Sequence, residues 1–112
     1  MENKKLITTI NVLGTDYNIY TSTAEQDEQL KKCDGYIVPE LKKICLDSKP
    51  NKQHQDHVLT HELIHAFLYE SGLDVETWAS SEEIVDWISL QLMKMSSTVK
   101  NGIKDFHKKE NI

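Results

Sequence analysis

Residues 57–72 read HVLTHELIHAFLYESG, and within them His61-Glu62-Leu63-Ile64-His65 decides how the chain is read. On an α-helix, side chains four apart stand one turn apart on the same face, so His61 and His65 can aim two imidazoles at one ion. Glu62 is rotated by about 100° from His61, so it is free to move a proton beside that ion instead of ligating it. Positions 58, 59, 63, 64, 66, 67 and 68 are apolar, the pattern of a helix with a buried side, and Gly72 supplies its stop. Residues 51–72 are therefore predicted to form one helix.

Upstream the period changes. Leu6 to Leu13 is rich in β-branched residues, Gly14-Thr15-Asp16 follows, and Tyr17 to Thr21 resumes the β-type pattern, which together read as a hairpin. Thr21 to Lys32 is polar and acidic, a loop or a short helix. Asp34-Gly35 reads as a turn, Tyr36 to Val38 as a brief strand before Pro39, and Lys43 to Asp47 as the third strand of the sheet. Downstream, Leu73 to Ala79 is a linker. Ser80 with Glu83 three residues on makes a capping box for a second helix over 80–96, with Ile84, Val85, Ile88, Leu92 and Met95 as its apolar face. Ser96-Ser97 and Asn101-Gly102 weaken the pattern, so 97–112 reads as a separate helical tail. The expectation is a single α+β domain over 1–112: a three-stranded sheet within residues 1–50, then two helices.

Composition narrows the partners. At 112 residues and 38% hydrophobic content there is one modest core and no room for a second lobe. The net charge is −5 and all 13 basic residues are lysine, which argues against nucleic acid and removes the guanidinium fork best suited to phosphate. The start of the chain lacks the apolar block of a signal peptide, and no apolar run is long enough to span a membrane, so the expected setting is the cytoplasm. Cys33 and Cys45 have eleven residues between them, a spacing that fits no zinc knuckle, and both read as free thiols, Cys45 in the core.

Two histidines do not complete a catalytic zinc site, which needs a third protein ligand and one open position. Glu82, Glu83 and Asp86 stand at the start of the next helix, with Cys33, Cys45, His54 and His57 as rivals. His54 and His57 read first as a solvated helix start, with a supporting role for His57 at the cleft left open. Zinc suits such a donor set and brings a bound water to a pKa near ~7, within reach of Glu62 as general base.

These residues resemble a known group. HELIH at 61–65 followed by SEEIVDW at 81–87 looks like a gluzincin metallopeptidase. The stretches DGYIVPELKKICL, HELIHAFLYESGL and EEIVDWISLQL resemble the small zincin-like proteins of phages and prophages, related to ImmA/IrrE-type peptidases and to minigluzincins. The resemblance implies a minimal zincin fold, Zn2+ as cofactor, hydrolysis of peptide bonds, and a peptide or protein substrate such as a regulatory protein. It implies a third ligand and an accessory carboxylate from a Glu-x-x-x-Asp on the second helix, which Glu82 and Asp86 match. The predicted capping box occupies Glu83, which favours Glu82 as ligand, with Asp86 placed to hold a ligand imidazole by its outer N–H. The resemblance also implies that the Lys43–Asp47 strand lies along the cleft, and that an oxyanion-stabilising group is needed, for which Tyr36, Tyr69 and His57 are the nearby candidates. The alternative is a zinc-stabilised regulatory or binding protein without turnover.

Overall fold

The computed structural model describes residues 4–73 and 81–110. The chain is α+β: strands β1 (Lys5–Val12), β2 (Thr15–Ser22), β3 (Gly35–Val38) and β4 (Lys43–Asp47), then helices α1 (Lys52–Glu70) and α2 (Glu82–Glu110). The hairpin turns at Leu13 and Gly14, both at positive φ (50° and 92°), the two-residue geometry that matches strand twist. Asn11 holds it, accepting from the Gly14 N–H at 3.0 Å. The acidic stretch after β2 is a loop with a single 3-10 turn, Glu28–Lys31.

The sheet has four strands in the order β1-β2-β4-β3, not three. The brief Tyr36–Val38 run, extended by Gly35, is the added strand. It pairs antiparallel with β4, with Gly35 opposite Leu46 and Ile37 opposite Ile44. Beyond it, β2 and β4 run parallel. The expectation that Lys43–Asp47 lies at the cleft is therefore corrected: β4 is paired on both sides and β3 is the edge. Gly35 is also no turn residue. A Cβ there would come within 2.5 Å of Val58 Cγ1 on α1, so the missing side chain lets the helix approach this edge.

Side chains alternate across β4. Ile44 and Leu46 join Val12, Tyr17, Ile19 and Ala66 in the buried core between sheet and α1, with Val58, Leu59 and Leu63 packed against it. Cys45 points to the other face, where it meets Asp27 and Tyr36. Asn51 caps α1, its Oδ1 accepting from the His54 N–H at 2.9 Å. Gly72, at φ 94°, ends it in a Schellman turn: Leu73 N–H reaches Leu68 C=O and Gly72 N–H reaches Tyr69 C=O, both at 3.1 Å. Glu70 in the last turn ties helix to sheet, accepting from Tyr17 Oη at 2.6 Å and pairing with Lys42 at 2.8 Å.

Two expectations for α2 change. It is one 29-residue helix, without the break predicted after residue 96. Serine and glycine each cost about 1 kcal/mol or less inside a helix, whereas restarting after a break repeats the unfavourable nucleation step. Ser80 lies outside the described residues, but Ser81 Oγ accepts from the Ile84 N–H at 3.4 Å and so takes the capping place one residue late. The third residue after that cap is Ile84, and the predicted capping box of Ser80 with Glu83 lies partly outside the described residues. No helix among the described residues is long and apolar enough to cross a membrane.

Candidate metal centre

The site is built where the start of α2 crosses the middle of α1. His61 and His65, four apart, lie side by side with ring centroids 4.9 Å apart. Glu82, in the first turn of α2, reaches both: its Oε2 is 2.8 Å from His61 Nε2 and 3.2 Å from His65 Nε2. These two Nε2 atoms and the carboxylate oxygen, which could hold a metal ion, all lie within 4.8 Å of one another, and among the described residues no other three histidine, cysteine or acidic side chains meet this way. Donors around tetrahedral zinc with ~2.0–2.1 Å bonds stand about 3.3 Å apart, so the group is near the required size. The donor chemistry fits as well. If both Nε2 atoms carry protons, they donate to the Glu82 carboxylate. If they present lone pairs, three electron-rich atoms face one another, and a cation between them is what relieves the repulsion.

Asp86 lies one turn further along α2. Its Oδ1 is 3.4 Å from His61 Nδ1 and 3.1 Å from His57 Nε2. A proton on His61 Nδ1 facing this carboxylate leaves Nε2 free as a donor to a metal. Burial alone would raise the Glu82 carboxyl, but hydrogen bonds from His61 and His65 hold it below its usual value.

Glu62 sits beside this group with only 7% of its surface exposed. Burial pushes its carboxyl up to about 7; His61 opposes the rise and the Glu82 charge adds to it. The cleft it lines has a volume of about 690 Å³, with walls from β3, α1 and α2. Edge strand β3 and its approach, residues 33–37, form one side of it. The sequence reading missed this wall. Gly35 ahead of a β-branched pair was the available signal, since an interior strand glycine marks a close backbone approach.

Of the rivals, Cys33, His54 and His57 line the cleft without joining the group, and Cys45 lies away from it. Cys45 is fully buried on the far face of the sheet, its thiol pushed up to about 11 by burial. Cys33 lines the cleft, and its Sγ donates to Gln29 C=O at 3.3 Å. His54 pairs with Asp34 at 2.6 Å. Of the oxyanion candidates, Tyr36 gives its hydroxyl to Asp27 at 2.5 Å, on the Cys45 side of the sheet. All three line the cleft, and Tyr69 and His57 are the two whose polar groups are not taken by Asp27. Comparisons with protein-family models, with curated proteins and with solved structures find no match to this chain.

Proposed function

We propose that the chain is a minimal zincin-like, zinc-dependent peptidase of gluzincin type, with His61, His65 and Glu82 as metal ligands. The observation that carries this reading is the meeting of two Nε2 atoms and one carboxylate oxygen at the rim of a cleft that also buries Glu62. Zinc held there would act as a Lewis acid on a peptide carbonyl and lower the pKa of water. Glu62 takes a proton from water and returns it to the leaving amine, and its burial keeps its proton affinity near the range that work requires. Asp86 orients His61. The outer edge of β3, unpaired with any other strand among the described residues, offers backbone N–H and C=O groups to an extended peptide, and Ile37 lines the cleft beside it. The resemblance to phage and prophage zincins makes a folded regulatory protein with an exposed segment the substrate class of choice.

A second reading, a zinc-stabilised binding protein without turnover, draws support from His57, which Asp86 holds at 3.1 Å. An imidazole engaged in this way is not directed at a developing oxyanion. Metal analysis of the purified chain beside His61→Ala tests the shared premise: zinc in the first and not the second is expected, and zinc in neither removes both readings. Hydrolysis of a peptide library by the zinc-loaded chain, compared with Glu62→Gln, separates them. The peptidase reading expects activity to fall by ~10²–10⁴ with zinc retained, and no activity above Glu62→Gln would leave the binding protein.

A further inference from the structure

Helix α2 outruns the domain. Val85 and Ser89 are buried and Ile88, Gln91 and Ser96 half-covered, but every residue from 97 to 110 is exposed. The apolar stripe does not stop where the cover stops. Val85, Leu92, Val99 and Phe106 recur every seven residues, with Ile88 and Met95 between them at the spacing of a helix-to-helix seam. Ile103 continues the same face. Beyond the domain, Val99 is 58% exposed, Ile103 53% and Phe106 61%. Four turns of helix containing Ser, Thr, Asn and Gly are marginal alone in water, so this segment needs a surface against which to pack.

Charge selects the surface. Residues 1–86 hold eight lysines and 16 acidic residues, whereas residues 87–112 hold five lysines and two acidic residues. Along α2 itself, Glu82, Glu83 and Asp86 crowd the first turns, and Lys100, Lys104, Lys108 and Lys109 the last. We propose that α2 pairs with α2 of a second copy, antiparallel, in a seam centred near Met95. In that arrangement Val99 and Ile103 of one copy lie at the level of Leu92 and Ile88 of the other. The flank left open on the first half of α2, Ile84 at 39% and Trp87 at 58% exposure, receives Phe106. The lysine-rich end of each helix runs beside the acidic end of the other, and the helix dipoles oppose. A parallel pair would set lysine against lysine. A lipid surface has no use for a seven-residue register, and an anionic one repels the acidic body. This pairing is independent of whether the cleft binds zinc.

Sedimentation of the full chain at about 100 μM, above the micromolar Kd that suffices for a standard-size interface, is expected to give twice the chain mass. Val99→Asp with Ile103→Asp changes exposed residues only and is expected to weaken association at least ~10-fold while the thermal melt of the body is kept. Spin labels on Lys108→Cys in a Cys33→Ser background read the direction: about 38 Å between labels for the antiparallel seam, about 10 Å for a parallel one. A chain that stays monomeric at that concentration overturns the proposal, as does the shorter label distance. Self-association unchanged by the double aspartate variant, or a monomer whose α2 instead binds phosphatidylserine vesicles, overturns it too.

Discussion

Replacing Glu82 with alanine separates a metal ligand from a surface acid. The side chain is 72% exposed, and without metal it gives up two contacts to imidazoles, at 2.8 and 3.2 Å. Exposed pairs of this kind contribute ~0.2–1 kcal/mol, so the metal-free variant is expected to melt only about 1–8 °C below the metal-free parent. Zinc changes the comparison. At a free concentration 100-fold above Kd, it stabilises the parent by about 2.7 kcal/mol, or roughly 10–20 °C in a domain of this size. If loss of the third ligand weakens binding by ~10³, the same zinc stabilises Glu82→Ala by under ~0.1 kcal/mol, and its melting curve does not move. Thermal melts by circular dichroism, with and without chelator and then with buffered zinc, measure both quantities. Glu83→Ala is the control, because Glu83 is not among the three side chains that converge; it should keep the full zinc shift. A zinc shift that survives in Glu82→Ala and vanishes in Glu83→Ala would refute the helix register on which the site rests.

Asp86→Ala should leave zinc bound but ~10–100-fold more weakly, as read by competition with a chromogenic chelator, because His61 loses the carboxylate that fixes its ring. Gly35→Ala should cost ~1–3 kcal/mol in urea denaturation, since the new methyl meets Val58 Cγ1 at 2.5 Å and Leu46 Cδ2 at 3.0 Å; adding Val58→Ala should recover part of that loss. Glu70 is held below its usual 4.5 by hydrogen bonds from Lys42 and Tyr17, so its folded form favours the charged state. That contribution is complete above its unfolded value and is lost as pH falls through the depressed one. Stability measured from neutral to strongly acid pH should therefore show Glu70→Gln less stable than the parent at neutral pH, with the gap closing below 4.5; a gap constant with pH would show that charge has no part in the latch.

What was legible in the sequence was local, and what was hidden was non-local. The pairing of His61 with His65 follows from helical spacing alone, whereas the choice of Glu82 over Glu83 and Asp86 rests on the resemblance and on a capping box at Ser80, which lies outside the described residues. The β1–β2 hairpin and the bounds of Lys43–Asp47 were equally readable, because turn residues and β-branched runs announce themselves within a few positions. The order β1-β2-β4-β3 was not, since a parallel pair such as β2–β4 joins segments more than twenty residues apart with no local mark. That order sends Lys43–Asp47 to the interior and brings Gly35, Tyr36 and Ile37 of β3 to the cleft. In α2 the error ran the other way. Residue preference alone makes Ser96-Ser97 and Asn101-Gly102 look like breaks, but each costs less than restarting the helix, and the seven-residue recurrence of Val85, Leu92, Val99 and Phe106 passes straight through them. Periodicity summed over 22 residues was the stronger signal, and it reports the one feature of this helix that its own domain does not use.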